Sequence, residues 1–313
     1  MERVLVTGGA GFIGSHLVRS LIASGSTVRV LDNFSSGRVD KLDGLGRKLE
    51  VMEGDIRNSV ACRNACRGID TVFHMAALVS VPQSVADPVQ SDAINSGGTL
   101  NVLLAARDNG VRRLVFSSSA AVYGDTDTVP TDEKVMPCPA SPYGIQKLIG
   151  EHYSHNFATL YGLETVCLRY FNVYGPGQDP TSPYAAAIPK FLMRLLRGES
   201  PSIFGDGEQT RDFCFVGDVV AANRCAATCK DPAAVGGVFN VATGSRISLN
   251  DLLPQIQECV DTSLPIRYEP PREGDIKHSG ADISRAQRIL GFKPATSLHS
   301  GLEQSAEYYR SLV

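Results

Sequence analysis

The sequence predicts an α/β protein, a Rossmann-type doubly wound parallel sheet followed by a smaller, mixed α/β C-terminal part. Three observations carry this expectation. Short β-rich runs alternate with helix-length amphipathic segments through the first 171 residues, the pattern of right-handed βαβ units. A glycine-rich turn, "VTGGAGFIGSH", stands directly after the first run and opens the first helical segment, which is the context of a dinucleotide phosphate loop. Beyond about residue 172 the alternation becomes irregular, and proline and glycine are frequent.

Arg3–Thr7 is the first short β-rich run, and the apolar spacing of Phe12–Ala23 after it predicts a helix. Thr27–Asp32 ("TVRVLD") reads as a buried strand, and Leu49–Asp55 and Asp70–Ala77 follow at similar intervals. A long helical pattern covers roughly 88–109, and Arg112–Ser119 ("RRLVFSSS") is the next strand. A helix opens near Tyr143, and the strand Glu164–Phe171 closes the regular half. Tyr174–Pro183 ("YGPGQDPTSP") then reads as a long loop. Helices are expected after it at about 189–198, 216–229, 249–260, 284–290 and 302–312. Residues 1–171 therefore form a dinucleotide-type unit, and 172–313 a less regular one.

The chain has 313 residues, enough to bury a sizeable core. Hydrophobic residues make up 43% and charged residues 20%, ordinary values for a soluble globular protein. The formal charge of −3 gives no overall basic field for nucleic acid or an anionic membrane, so an anionic ligand must be held locally. There is no apolar run long enough for a membrane helix, and "MERVLVTGG" lacks the layout of a signal peptide. A cytoplasmic location is the expectation. Eight cysteines include the pairs Cys62/Cys66 and Cys225/Cys229, but neither has C-x-x-C spacing. They read as reduced thiols, and no metal is expected.

Gly8, Gly11 and Gly14 fall at the strand-to-helix junction. One glycine permits the tight turn, another lets backbone approach a pyrophosphate, and the third lets the helix sit close to the sheet. The helix N-terminus adds free N–H groups and a positive dipole end. The spacing is G-x-x-G-x-x-G in place of G-x-G-x-x-G. Asp32 closes the second strand at the separation expected of an acid on an adenine-ribose hydroxyl. A carboxylate there repels the extra phosphate of NADP and favours NAD; Arg38 is the only nearby feature on the other side. Asp55 and Ile56 end the third strand where the adenine edge is expected, and "HMAA" places small residues beside the cofactor, with His74 as a packed residue and not a base.

"TGGAGFIGSH", Asp32, "GDI", "HMAA", "FSSSAAVYG", "SPYGIQK" and "RYFNVYGP" occur together in this order. On these motifs the whole chain resembles the extended short-chain dehydrogenase/reductase family, and within it the NAD-dependent UDP-hexose 4-epimerases, most of all the branch acting on UDP-N-acetylglucosamine. The resemblance implies a catalytic trio of Ser119, Tyr143 and Lys147. Tyrosine and lysine one helical turn apart share a face, and a neighbouring ammonium, with the positive nicotinamide ring, is expected to draw the phenol toward neutrality. It further implies NAD contacts from Gly8, Gly11, Phe12, Ile13, Gly14, Asp32, Asn33, Ser35, Ser36, Gly37, Asp55, Ile56, Met75, Ala76, Ala77, Asn95, Tyr143, Lys147 and Phe171. Implied substrate contacts are Ser118, Ser119, Tyr143, Asn172, Ile203, Phe204, Arg211, Arg272, Asp275 and Ser279. Residues 172–313 then become a UDP-sugar-binding unit, with a segment near 213–238 returning to the first unit. Gln146 departs from the pattern, since relatives usually carry serine or threonine before the lysine.

Dehydratases of the family place an Asp-Glu pair, and decarboxylases an acid, where this chain has Ala120 and Ala121. Oxidation and reduction at carbon 4 need no such acid. The expected reaction is therefore proton removal from the 4-hydroxyl by Tyr143 with hydride transfer to NAD, rotation of the 4-keto sugar about its diphosphate, and return of the hydride to the other face. Arginines suit a tethering diphosphate because they bind oxygen bidentately. "YAAAIPKF" at 184–191 resembles the N-acetylhexosamine branch, although many relatives have asparagine near Ala187. Ser279 stands where strict glucose/galactose epimerases tend to carry tyrosine, which leaves room for a 2-acetamido group. The remaining readings are a strict UDP-glucose 4-epimerase, a UDP-glucuronate 4-epimerase, and a catalytically dead NAD-binding regulatory protein. The resemblance also implies a homodimer through a four-helix bundle near 88–109 and 143–161.

Overall fold

Strand β1 (Arg3–Thr7) places Val4 and Val6 in one core cluster and Leu5 in another. A strand that is apolar on both faces must be covered on both faces, as parallel strands between helical layers are. The computed structural model describes residues 2–180, 187–271 and 276–313. Helix α1 (Phe12–Ala23) leads from β1 to β2 (Thr27–Asp32), and the edge strand β3 (Leu49–Glu53) pairs outside β2. Helix α2 (Ser59–Ala65), capped by the Asn58 side chain, returns the chain to β4 (Thr71–His74) on the other side of β1. The reversal of direction between β1 and β4 is the switch point at which α/β sheets open a ligand crevice beyond their strand ends.

Helices α3 (Val81–Ala86) and α4 (Pro88–Asp92) start at Ser80 and Asp87, whose side chains cap them, each with proline in the first turn. A π-helical turn over Ala93–Gly97 joins α4 to α5 (Gly98–Asp108), so the long segment expected as regular helix carries an interruption. Strand β5 (Arg113–Ser119) leads to the 20-residue helix α6 (Pro142–Tyr161) and to β6 (Glu164–Tyr170). Next come β7 (Val173–Tyr174), α7 (Ala187–Leu196), β8 (Ser202–Phe204), β9 (Thr210–Arg211) and β10 (Cys214–Phe215). Helix α8 (Val216–Thr228) and strand β11 (Gly237–Val241) rejoin the main sheet, where β11 pairs parallel to β6. The chain ends with β12 (Ile247–Ser248), α9 (Leu249–Cys259), β13 (Arg267–Glu269) and α10 (Leu298–Arg310).

The main sheet runs β11-β6-β5-β4-β1-β2-β3, and every pairing in it is parallel. Residues of α1 and α8, such as Leu17 and Val219, cover one face; residues of α2, α5 and α6, such as Cys62, Leu103 and Phe157, cover the other. A third cluster packs α7, α9 and α10 around Tyr174 and Phe215, beside the carboxyl ends of the strands. The sequence reading placed α10 four residues too late, because Ser297, whose hydroxyl accepts from Ser300 N–H, was not recognised as its cap. All eight cysteines carry free thiols, and no group of three metal-ligating side chains gathers among the described residues. No helix among them is long and apolar enough to cross a membrane.

Candidate active site

The glycine loop closes the β1–α1 junction to backbone distances. Gly8 has φ +68°, and a Cβ there would stand 2.7 Å from the Ala76 amide nitrogen, so only glycine fits. A Cβ on Gly14 would strike the Gly8 carbonyl, which lets α1 sit against the loop. Helix geometry leaves the first-turn N–H groups, those of Phe12, Ile13 and Gly14, without carbonyl partners of their own. Bare amides facing the crevice, aided by the helix dipole, suit a pyrophosphate.

Asp32 is buried, and its carboxylate accepts from Ala10 N–H and Phe34 N–H, both at 2.9 Å. It therefore ties the end of β2 to the glycine loop as well as standing where a ribose is expected. Gly37 packs against Ala10 and the Asp32 carboxylate, while Asn33, Ser35 and Ser36 are exposed. Asn33 donates to Asp55, whose carboxyl the Arg57 guanidinium holds down at about 2. Ile56 packs under Gly98 of α5. His74 is wholly buried between the Thr7 and Thr99 hydroxyls, at 2.7 and 3.0 Å. Burial holds its pKa down at about 3, so it is neutral and has no free nitrogen for base work. Met75, Ala76 and Ala77 follow it at the mouth of the crevice, half-buried.

Ser141 caps α6 through Gly144 N–H, with Pro142 in the first turn, so the helix starts immediately before Tyr143. Gly150 lets α6 lie against the Phe116 ring of β5, where a Cβ would stand 2.8 Å from Phe116 Cε1. This close approach brings the Tyr143 phenol near the Ser119 hydroxyl. Lys147, 4% exposed, donates from Nζ to the Ser117 carbonyl at 2.7 Å, and Nζ lies 5.8 Å from the Tyr143 ring centroid. The three residues of the expected trio are thus brought together. Their electrostatics are set by burial in the chain alone. Burial raises the Tyr143 pKa, and the nearby Ser119 hydroxyl only partly opposes this. Burial also draws Lys147 down to about 8, against the opposing charge of Glu151. The chain by itself does not bring the phenol toward neutrality; that requires further positive charge in the crevice.

Ser118 needs correction as a substrate contact through its side chain. Strand alternation turns it away from Ser119, and it is buried with its hydroxyl donating to Glu151. The Asn95 side chain is likewise engaged: Oδ1 accepts from Leu78 N–H, and Nδ2 donates to Leu78 O and Gln146 Oε1. Gln146, the departure from the family pattern, also accepts from Ser91, so it links α6 to the π turn and α4. The sequence reading missed the buried pair Glu151–Arg169; the spacing Tyr143, Lys147, Glu151 on one helix face was its available signal.

Phe171 is buried at the end of the first unit, and Asn172 donates to the Asp212 carbonyl. Ile203 and Phe204 lie on β8, with Ile203 buried. Arg211, on β9, donates to the Thr210 and Lys277 carbonyls, and Ser279 N–H donates to Thr210 O, so these two residues flank one strand edge. Arg272, Asp275 and Tyr184 lie outside the described residues. An open hollow among Arg112, Glu164, Thr228 and Lys230 is at the opposite, amino end of the strands, away from all of this chemistry.

The model of the NAD dependent epimerase/dehydratase family matches residues 4–242. The chain belongs to this family. NAD is the cofactor that the glycine loop, the α1 N-terminus and Asp32 fit. A UDP-glucose 4-epimerase of Mycolicibacterium smegmatis is 39% identical over 317 residues, covering 99% of each chain. Among solved structures, a UDP-N-acetylglucosamine 4-epimerase of Methanobrevibacter ruminantium M1, in complex with UDP-N-acetylmuramic acid, is 40% identical. Its TM-score is 0.95, over 100% of this chain and 99% of that one. A UDP-glucose 4-epimerase of Thermotoga maritima with UDP-glucose is 41% identical, with a TM-score of 0.93 over 99% of each chain.

Proposed function

We propose that this chain is an NAD-dependent isomerase that inverts carbon 4 of UDP-hexoses, accepting UDP-N-acetylglucosamine/UDP-N-acetylgalactosamine and, to some degree, UDP-glucose/UDP-galactose. The observation that carries the reading is the buried pair Tyr143 and Lys147 on one face of α6, with the Ser119 hydroxyl of β5 beside the phenol. It stands beside Ala120 and Ala121, which offer no carboxyl group for elimination or decarboxylation. When bound, NAD takes up the carbon-4 hydride and gives it back. Tyr143, as phenolate, removes the 4-hydroxyl proton and later returns it, with Ser119 hydrogen-bonding the same oxygen. Lys147 supplies positive charge that favours the phenolate. Arg211 and Arg272 hold the diphosphate, Asn172 the pyrophosphate or sugar, Asp275 the ribose, and Ile203 and Phe204 flank the uracil, while the 4-keto sugar turns. Arginines serve here through bidentate bonds to phosphate oxygen.

The preference for N-acetylated sugars rests on Ser279, a small residue beside β9, and on the likeness to the Methanobrevibacter enzyme. Homodimerisation through α4–α5 and α6 agrees with the exposure of Val89, Ile145 and Leu160 on those helices. The test incubates the purified protein with UDP-N-acetylglucosamine and, separately, UDP-glucose, with no NAD added, and resolves the carbon-4 epimers by chromatography. Conversion of both is expected. Conversion of UDP-glucose alone removes the N-acetyl assignment, and reaction of UDP-glucuronate alone replaces the substrate. No turnover even with NAD supplied removes the catalytic reading.

A further inference from the structure

Tyr143, Lys147 and Glu151 occupy successive turns of one face of α6. Glu151 is 5% exposed and receives three bonds. Arg169 of β6, itself 4% exposed, donates from Nε at 2.8 Å and from Nη2 at 2.7 Å, and Ser118 of β5 donates its hydroxyl. The guanidinium lies 4.5 Å from the Tyr123 ring centroid, and the Tyr123 hydroxyl is anchored on Asn240. The carboxylate therefore cannot swing toward the crevice. Its charge sits one turn behind Lys147, on the far side from Tyr143. A buried ion pair of this kind contributes little to net stability against an apolar replacement, so its value has to be sought in what its field does.

We propose that Glu151, fixed by Arg169 and Ser118, is a positioning residue that keeps Lys147 in its ammonium form beside Tyr143. The inference rests on the reading of Lys147 as the partner of Tyr143. Desolvation alone drives a buried lysine toward the neutral amine, and a neutral amine does nothing for a phenolate. The groups that face Lys147 are Tyr143 and Glu151 from α6, His74 from β4 and the Ser117 carbonyl from β5, with Arg169 of β6 behind Glu151. His74 is neutral through the working range, and Cys167, the other titratable neighbour of Glu151, is held as a thiol by burial. Glu151 is thus the anion that opposes desolvation at Lys147.

The test compares Glu151→Gln and Arg169→Gln in the NAD-loaded protein, reading kcat/KM for a UDP-hexose from pH 6 to 10. The proposal requires opposite shifts. Removing the anion lowers the alkaline limb by roughly one pH unit, about a tenfold loss at a pH above the limb, and removing the guanidinium raises it. A merely structural pair would lower activity in both variants and leave both limbs in place, which would overturn the proposal. If Glu151→Gln does not accumulate as folded protein, the double variant with both substitutions leaves no stranded charge. Its limb must then fall, and an unmoved limb refutes the idea. A second readout does not depend on the substrate. Carbon-13 NMR of the labelled lysine ε-carbons, with the Lys147 signal assigned through Lys147→Arg, follows the titration directly. Failure to turn over any UDP-sugar with the expected NMR shifts intact would sink the functional reading and spare this one.

Discussion

Gly150→Ala would test how the active site is assembled. Gly150 is where α6 rests on the Phe116 ring of β5, and an added methyl would strike Phe116 Cζ and meet Cε1 at 2.8 Å and Cε2 at 3.2 Å. Ordinary contact begins at 3.4 Å, so ring or helix must give by about 1 Å at Cζ. Phe116 is 1% exposed and has nowhere to retreat. Overpacking of this kind costs about 1–3 kcal/mol, while alanine in a helix interior recovers about 1 kcal/mol over glycine. The net loss of stability should be small, about 0–2 kcal/mol, by the same two effects. Catalysis should suffer more, because lifting α6 carries Tyr143 away from Ser119 and Lys147 away from Ser117 O. Misplacement approaching 1 Å costs on the order of 100-fold, so a 10- to 100-fold fall in kcat is expected. Thermal unfolding and saturating turnover on the same preparation separate the two effects. Adding Phe116→Leu should make room and restore much of kcat, a coupling that a double-mutant cycle measures. A variant with unchanged melting temperature and kcat within about twofold of the parent, against the 100-fold scale above, would refute the close-packing argument.

Tyr143→Phe should keep NAD bound and lower kcat by about 10²–10⁴-fold, the usual worth of a positioned acid–base group; a loss below tenfold would remove Tyr143 as the base. Asp32→Ala strips the acceptor from the buried Ala10 amide, at about 1–3 kcal/mol, and from the part-buried Phe34 amide, and should lower both the melting temperature and the NAD retained through gel filtration. Unchanged NAD content would show that the carboxylate only braces the loop. Ser279→Tyr should abolish turnover of UDP-N-acetylglucosamine and spare UDP-glucose; equal loss of both would end the gate assignment. The pH dependence of stability has a definite sign at Asp55, which Arg57 holds at about 2 in the folded chain. Its contribution is present above the unfolded value near 4 and is lost as pH falls toward 2. Asp55→Asn should therefore flatten that part of the acid-unfolding curve, and an unaltered curve would remove the pair from the account.

Local chemistry explains what could be read from the sequence and what could not. The glycine loop was legible because Gly8 and Gly14 answer to a conformation and a close approach that no other residue meets, and such requirements leave a mark at fixed spacing. Tyr143 and Lys147 were legible because one helical turn puts them on one face whatever surrounds the helix. The π turn at 93–97 was not, since it arises from tertiary bonds: Asn95 reaches Leu78 on one side and Gln146 on the other, and no local pattern reports a partner 51 residues away. The Tyr143 pKa in the chain without cofactor was not legible for a related reason. The sequence places a cation beside a phenol, but the sign of the shift is decided by how much water both have lost, which only the packed structure gives. Gln146 binds this together. As a departure from a motif it marks only a change beside Lys147, yet in the fold its carbonyl gathers Ser91 and Asn95 and ties α6 to the loop beyond β4. A residue that breaks a pattern can therefore strengthen the frame the pattern serves.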